Sequence, residues 1–132
     1  MTSKVAVVGV DAIEPRRIAD FWCEVLGWHI VEDTTDEVEI AAPDGSWPSI
    51  GFFAVPEAKS VKNRLHLDLR ADGVTTEAEL QRLRELGARD VDVGQEPDVT
   101  WTVLADPEGN EFCLLLRTVQ DMQAAVPPEN RS

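Results

Sequence analysis

Two short runs in the second half of the sequence set reactive side chains at alternate positions. Residues 63–70 carry Arg64, His66 and Asp68, and residues 111–116 carry Glu111 and Cys113. A β-strand sends successive side chains to opposite faces, so the members of each set share a face. The opposite face of the first run takes Leu65, Leu67 and Leu69, and that of the second takes Phe112, Leu114 and Leu116. These apolar sets are expected to pack under helices.

An imidazole on the polar face can act as a general base, with Asp68 or Glu111 fixing its tautomer. Arg64 can hold a carboxylate or an enolate oxygen. The plainer alternative is equally physical. Arg64 and Asp68 then form an edge ion pair worth under about 1 kcal/mol, His66 is a satisfied polar residue, and Cys113 is a small packed thiol. The other histidine, His29, follows the first helical stretch and is expected to face solvent. Trp22 and Trp28 read as core or interface, whereas Trp47 and Trp101 are candidates for stacking on a ligand.

The elements that must hold these residues can be read from periodicity. Residues 4–10 are short and β-branched, which predicts a buried strand. Pro15 suits a first helical turn. Ile18, Phe21, Trp22, Val25 and Leu26 then fall on one helical face, and Gly27 ends the helix as a left-handed cap. Strands are expected at 28–32, 37–42 and 49–55, with a turn at Pro43-Asp44-Gly45 and a polar connector at 56–60.

The same order then recurs. A strand at 63–70 precedes a helix that opens on a capping box between Thr76 and Glu79. Leu80, Leu83 and Leu86 give that helix its buried stripe, and Gly87 ends it. Strands at 91–93, 99–104 and 111–116 follow, with a turn at 106–110 before the last. On the strand at 99–104, either Val99, Trp101 and Val103 or Thr100, Thr102 and Leu104 face the reactive side. Each half runs strand, helix, strand, strand, strand, and neither half alone covers both faces of its sheet.

Composition narrows the function. The chain has 132 residues, enough for one compact domain with a real core. Its 25 acidic residues against 12 basic ones give a net charge of −13. That field disfavours nucleic acid and anionic membranes, and it favours a cationic ligand or simple solubility. Neither Cys23 nor Cys113 lies in a CxxC or CxxH spacing, so both are expected as free thiols in a reducing compartment. No signal peptide or membrane span is visible, and a cytoplasmic location is expected.

Three segments together resemble the vicinal oxygen chelate superfamily, which takes in glyoxalases, bleomycin resistance proteins and dioxygenases. Phe21-Trp22 followed by Leu26-Gly27-Trp28 is similar to its first helix end. Asp106-Pro107-Glu108-Gly109-Asn110 is similar to the turn before its last strand. Asn63-Arg64-Leu65-His66-Leu67-Asp68 resembles the strand that opens its second half. Residues 62–69 and 106–115 together look most like its glyoxalase-like subgroup.

The resemblance implies an α+β fold of two tandem βαβββ modules whose curved mixed sheets form a half-open barrel around a cavity. The modules would span about 3–56 and 62–118 of a domain at 1–118, followed by a C-terminal tail at 119–132. It further implies that the first and last strands of each half are neighbours and that their facing positions hold a metal in many members. Here those positions are Val7 (or Ala6), a site near Phe53, His66 and Cys113. Only His66 and Cys113 can ligate, with Glu111 as a conceivable third, and a catalytic site needs about three protein ligands. No metal or other cofactor is therefore expected.

The expected cavity is lined by Phe53 and Gly51 from the first half and by Arg64, His66, Asp68, Trp101, Glu111 and Cys113 from the second. The function expected is binding of an unidentified metabolite or drug without the usual catalytic metal. The alternative is a lyase- or isomerase-type enzyme using His66, with Glu111 in support, as its catalytic base. A third reading is an interaction module in which the dimer surface matters. A homodimer is expected from the open sheet edges.

Overall fold

The structure, a computed structural model, describes residues 1–91 and 101–125. The chain divides into two compact units, Met1–Ser60 and Val61–Ser132.

In the first unit the elements are β1 (Val7–Ala12), α1 (Pro15–Leu26), β2 (His29–Asp33), β3 (Glu37–Ala41) and β4 (Ser49–Ala54). The sheet order is β1-β4-β3-β2, with β1 parallel to β4 and the other pairs antiparallel. Pro15 opens α1 at a position whose amide has no helical partner. Gly27 closes it at φ 69°, a left-handed conformation that costs a side-chain-bearing residue about 1–2 kcal/mol. Ile18, Ala19, Phe21, Trp22 and Val25 are buried on one face of the helix, and Val38, Ile40, Ile50 and Phe52 are buried on the sheet. Each large side chain so buried contributes about 1.5–3 kcal/mol.

The second unit repeats the plan with β5 (Asp68–Leu69), α2 (Thr76–Leu86), β6 (Arg89–Asp90), β7 (Trp101–Ala105) and β8 (Glu111–Leu115). Its sheet order, β5-β8-β7-β6, is the same, with β5 parallel to β8. Leu83 of α2 and Leu104, Phe112 and Leu114 of the sheet are almost wholly buried. The expected α+β fold of two βαβββ modules is therefore present. A further helix, α3 (Val119–Ala125), follows.

Four expectations are corrected. First, β1 begins at Val7 and is not buried: Val5 and Val7 are exposed. It stands at one end of its sheet order, paired with β4 among the described residues. Second, the strand expected at 63–70 is only Asp68–Leu69, and Leu65 is 86% exposed rather than packed under a helix. The chain bends at Arg64 and Leu65. The register pairs Asp68 with Cys113, which sets position 66 level with Glu111, the first residue of β8. Residues 63–65 thus run past the start of their neighbour.

Third, the cap of α2 is Thr75, whose hydroxyl accepts from the Ala78 amide at 3.1 Å. Thr76 instead donates to the Leu116 carbonyl at 2.6 Å, and Glu79 turns to Arg82 in a two-pronged ion pair at 2.7 and 2.8 Å. Two adjacent threonines make the cap position ambiguous by one residue. Fourth, Leu116 is exposed, because β8 ends one residue before it. Of the expected leucine stripe, Leu83 is buried while Leu80 and Leu86 are half-buried. Residues 92, 93, 99 and 100 of the expected strands, and the tail beyond 125, lie outside the described residues.

Candidate active-site pocket in the second unit

The face of the second sheet is set by strand pairing. Trp101 pairs with Leu115, Val103 with Cys113 and Ala105 with Glu111. Directly opposed residues project on the same side of a sheet, so these six share one face. Thr102, Leu104, Phe112 and Leu114 take the other, and the last three of these are buried. The ambiguity over the strand at 99–104 is thereby resolved for its described part: Trp101 and Val103 face the reactive side.

On that face lies a pocket of about 470 Å³, lined by Lys62, Asn63, His66, Asp68, Trp101, Val103, Glu111, Cys113 and Leu115. Apolar walls with a few convergent polar groups are what a small-molecule site requires. His66 Nε2 lies 3.1 Å from Asp68 Oδ1, and both side chains are about half exposed. An imidazole whose Nε2 is turned to a carboxylate keeps Nδ1 for another partner. Glu111 anchors the segment before β5, its Oε2 accepting from the Asn63 amide at 3.1 Å. Cys113 is buried, and β5 is tied beside it by the bond from its amide to the Leu67 carbonyl at 2.9 Å. Burial pushes its thiol pKa up, the Asp68 carboxylate adds to that rise, and Lys62 opposes it.

The turn that leads into β8 is held by a buried carboxylate. Asp106, 1% exposed, accepts through Oδ1 from the amides of Glu108 and Asn110 at 3.0 and 2.9 Å. Its Oδ2 accepts from Asn110 Nδ2 at 3.2 Å. Gly109, at φ 89°, lets the chain reverse so that β8 begins two residues later.

The structure thus brings together His66, Asp68, Trp101, Glu111 and Cys113. It does not bring Arg64, which is exposed and outside the pocket lining. The bend at Arg64 and Leu65 breaks the alternation from which its place was read. Asp68 accordingly meets His66, and the Arg64–Asp68 ion pair does not form. Phe53 stands on β4 of the first unit, its ring laid over the backbone where Gly9 and Gly51 leave room: a Cβ at Gly51 would be 3.0 Å from the ring. Trp47, 66% exposed, stands just before β4. Lys62 and Asn63 are lining residues that the sequence reading missed. Because the bend breaks the alternation, nothing in the spacing marks either residue.

Of the four positions at which the resemblance noted from sequence implies a metal, Val7 and Phe53 offer no donor atom. The shared metal set therefore does not fit this chain. Within the second unit, however, His66, Asp68 and Cys113 each present a ligand atom within 4.8 Å of the others. Asp68 is absent from the set expected from sequence.

A family model described as glyoxalase-like domain matches residues 7–115. No curated protein matches the sequence. Among solved structures, the fold is similar to a glyoxalase/bleomycin resistance protein/dioxygenase family enzyme from Burkholderia phytofirmans PsJN. That structure has a TM-score of 0.61 and 21% identity, covering 85% of this chain and 97% of the other. It is similar to a bleomycin resistance determinant encoded on transposon Tn5, with a TM-score of 0.57 and 19% identity over 87% and 98% of the two chains. It is also similar to the fosfomycin resistance protein FosX from Listeria monocytogenes, solved with Mn(II) and 1S,2S-dihydroxypropylphosphonic acid. There the TM-score is 0.65 and the identity 11%, over 96% and 99% of the two chains. Identities this low establish a shared fold.

Proposed function

The chain belongs to the glyoxalase-like domain family, and from that premise we propose that it binds a small organic molecule in the second-unit pocket, without a metal shared between its halves. The observation that carries this reading is the lining itself: Trp101, Val103 and Leu115 as apolar walls around His66, Asp68, Glu111 and Lys62. Trp101 is 40% exposed, and its indole lines the pocket as an aromatic wall on which a planar or cationic group would stack. Lys62 and His66 offer donors, and Asp68 and Glu111 offer acceptors. The relatives named above that carry antibiotic resistance in their descriptions are consistent with a drug or metabolite as ligand.

The test is a thermal-shift screen of chelator-treated protein against small organic compounds. A compound that binds at a hundred times its Kd stabilises the fold by about 2.7 kcal/mol. That stabilisation is expected to fall in Trp101→Ala and to persist in Phe53→Ala. If no compound in a broad screen raises the melting temperature, the binding reading fails.

The His66–Asp68 pair favours a second reading, a lyase- or isomerase-type reaction on a carbonyl compound. Asp68 holds the ring and His66 Nδ1 takes a proton from carbon, with Glu111 in the same pocket lining. Activity lost in His66→Ala while ligand binding is kept would support it, and activity unchanged in that variant would end it. A cytoplasmic homodimer is the assembly proposed. Among the described residues no helix is long and apolar enough to cross a membrane.

A further inference from the structure

The donor atoms of His66, Asp68 and Cys113 all lie within 4.8 Å of one another. Three atoms within that limit share a centre at most about 2.8 Å from each, and zinc bonds to nitrogen, oxygen and sulfur run about 2.0–2.3 Å. Small rotations of the half-exposed His66 and Asp68 side chains close the difference. Both already face each other at 3.1 Å, and Cys113 stands opposite Asp68 in the strand register.

We propose that the second unit alone binds a soft divalent cation, Zn²⁺, through His66, Asp68 and Cys113, with its fourth position open to the pocket. Three protein ligands with one open position form a site that admits water or a small molecule. One thiolate and one carboxylate neutralise the ion's two charges. The sulfur favours zinc over Mn²⁺, Mg²⁺ or Ca²⁺, which suit all-oxygen or oxygen-rich sets. This is not the shared set described above. It needs neither Val7 nor Phe53, it adds Asp68, and it has sulfur in place of a carboxylate at position 113. It stands independently of whether an organic ligand enters the pocket. It does exclude the base role of His66 at the nitrogen that the ion occupies.

The test uses Co²⁺ as a spectroscopic probe on the full chain freed of metal. One equivalent is expected to give a thiolate-to-cobalt charge-transfer band in the near ultraviolet, which added Zn²⁺ removes. The band should vanish in Cys113→Ser and survive in Cys23→Ser. His66→Ala and Asp68→Asn alter half-exposed side chains, so they keep the fold. Each should weaken Zn²⁺ by about tenfold or more, as loss of even an outer partner does, read by competition with a chromophoric chelator. No band, a band that persists without Cys113, or Zn²⁺ affinity unchanged in both His66→Ala and Asp68→Asn would overturn the proposal. The compound screen above is run on metal-free protein, so failure of one reading leaves the other intact.

Discussion

Cys113 shows how far one residue's surroundings decide its chemistry. Burial first, and the neighbouring Asp68 second, hold its proton on. A raised pKa lowers the thiolate fraction at neutral pH, and the thiolate is the reactive form. Alkylation of Cys113 by iodoacetamide is therefore expected to be slower at pH 7.5 than that of a free cysteine, with its rate still rising at pH values where free cysteine has levelled. Asp68→Asn removes the carboxylate's contribution and should shift the profile to lower pH. A profile matching free cysteine would contradict this. Asp106 is the structural counterpart. Its buried carboxylate serves three donors of the turn, and Asp106→Ala leaves them unmatched at a cost of about 2–4 kcal/mol, measurable by urea unfolding. A loss no larger than that of an exposed substitution would show that the turn is held otherwise. Alternation in the sequence offered both Asp68 and Glu111 as partners for His66, and it is Asp68 that lies 3.1 Å from its Nε2. The exclusion of Arg64 was not legible there, since a bend two residues upstream leaves no mark in the residue types.

At the scale of elements, most of the fold was legible because helix ends and turns carry local signals. Pro15 and Gly27 bracket α1, Gly87 ends α2, and 106–110 folds as the turn its residues suggest. What local signals did not carry was the length of β5, which depends on where its partner β8 begins. Nor did they carry the choice between Thr75 and Thr76 as cap, which depends on the distant Leu116 carbonyl claiming one hydroxyl. Thr75→Ala should cost about 1 kcal/mol, measured by urea unfolding, through loss of the bond to the Ala78 amide. Thr75→Ser should restore most of it. If Thr75→Ala is neutral, the cap is misassigned. α3 is held by the same means. Thr118 caps it through Asp121, and Gln120 bonds the Gly73 amide and the Asp72 carboxylate at 2.8 and 2.7 Å.

At the scale of the whole molecule, a net charge of −13 on 132 residues means self-repulsion in the compact state. Adding salt from about 10 to about 150 mM shortens the screening length from roughly 30 to roughly 8 Å. The melting temperature should rise over that range; a fall would mean that the surface ion pairs outweigh the repulsion. The two halves share an architecture but not a chemistry. The first carries Val7 and Phe53 at positions where the sequence resemblance implies ligands, and its Phe53 ring lies over bare glycine backbone. The second gathers an imidazole, two carboxylates, a thiol and an indole around one pocket. On the function proposed above, this pocket is where the protein binds small molecules. The most direct measurement is a ¹H–¹⁵N NMR titration with any compound that raises the melting temperature. Shifts confined to residues 62–68, 101–103 and 111–115 are the predicted result. Shifts centred on Gly9, Gly51 and Phe53, with the second-unit pocket unmoved, would contradict it.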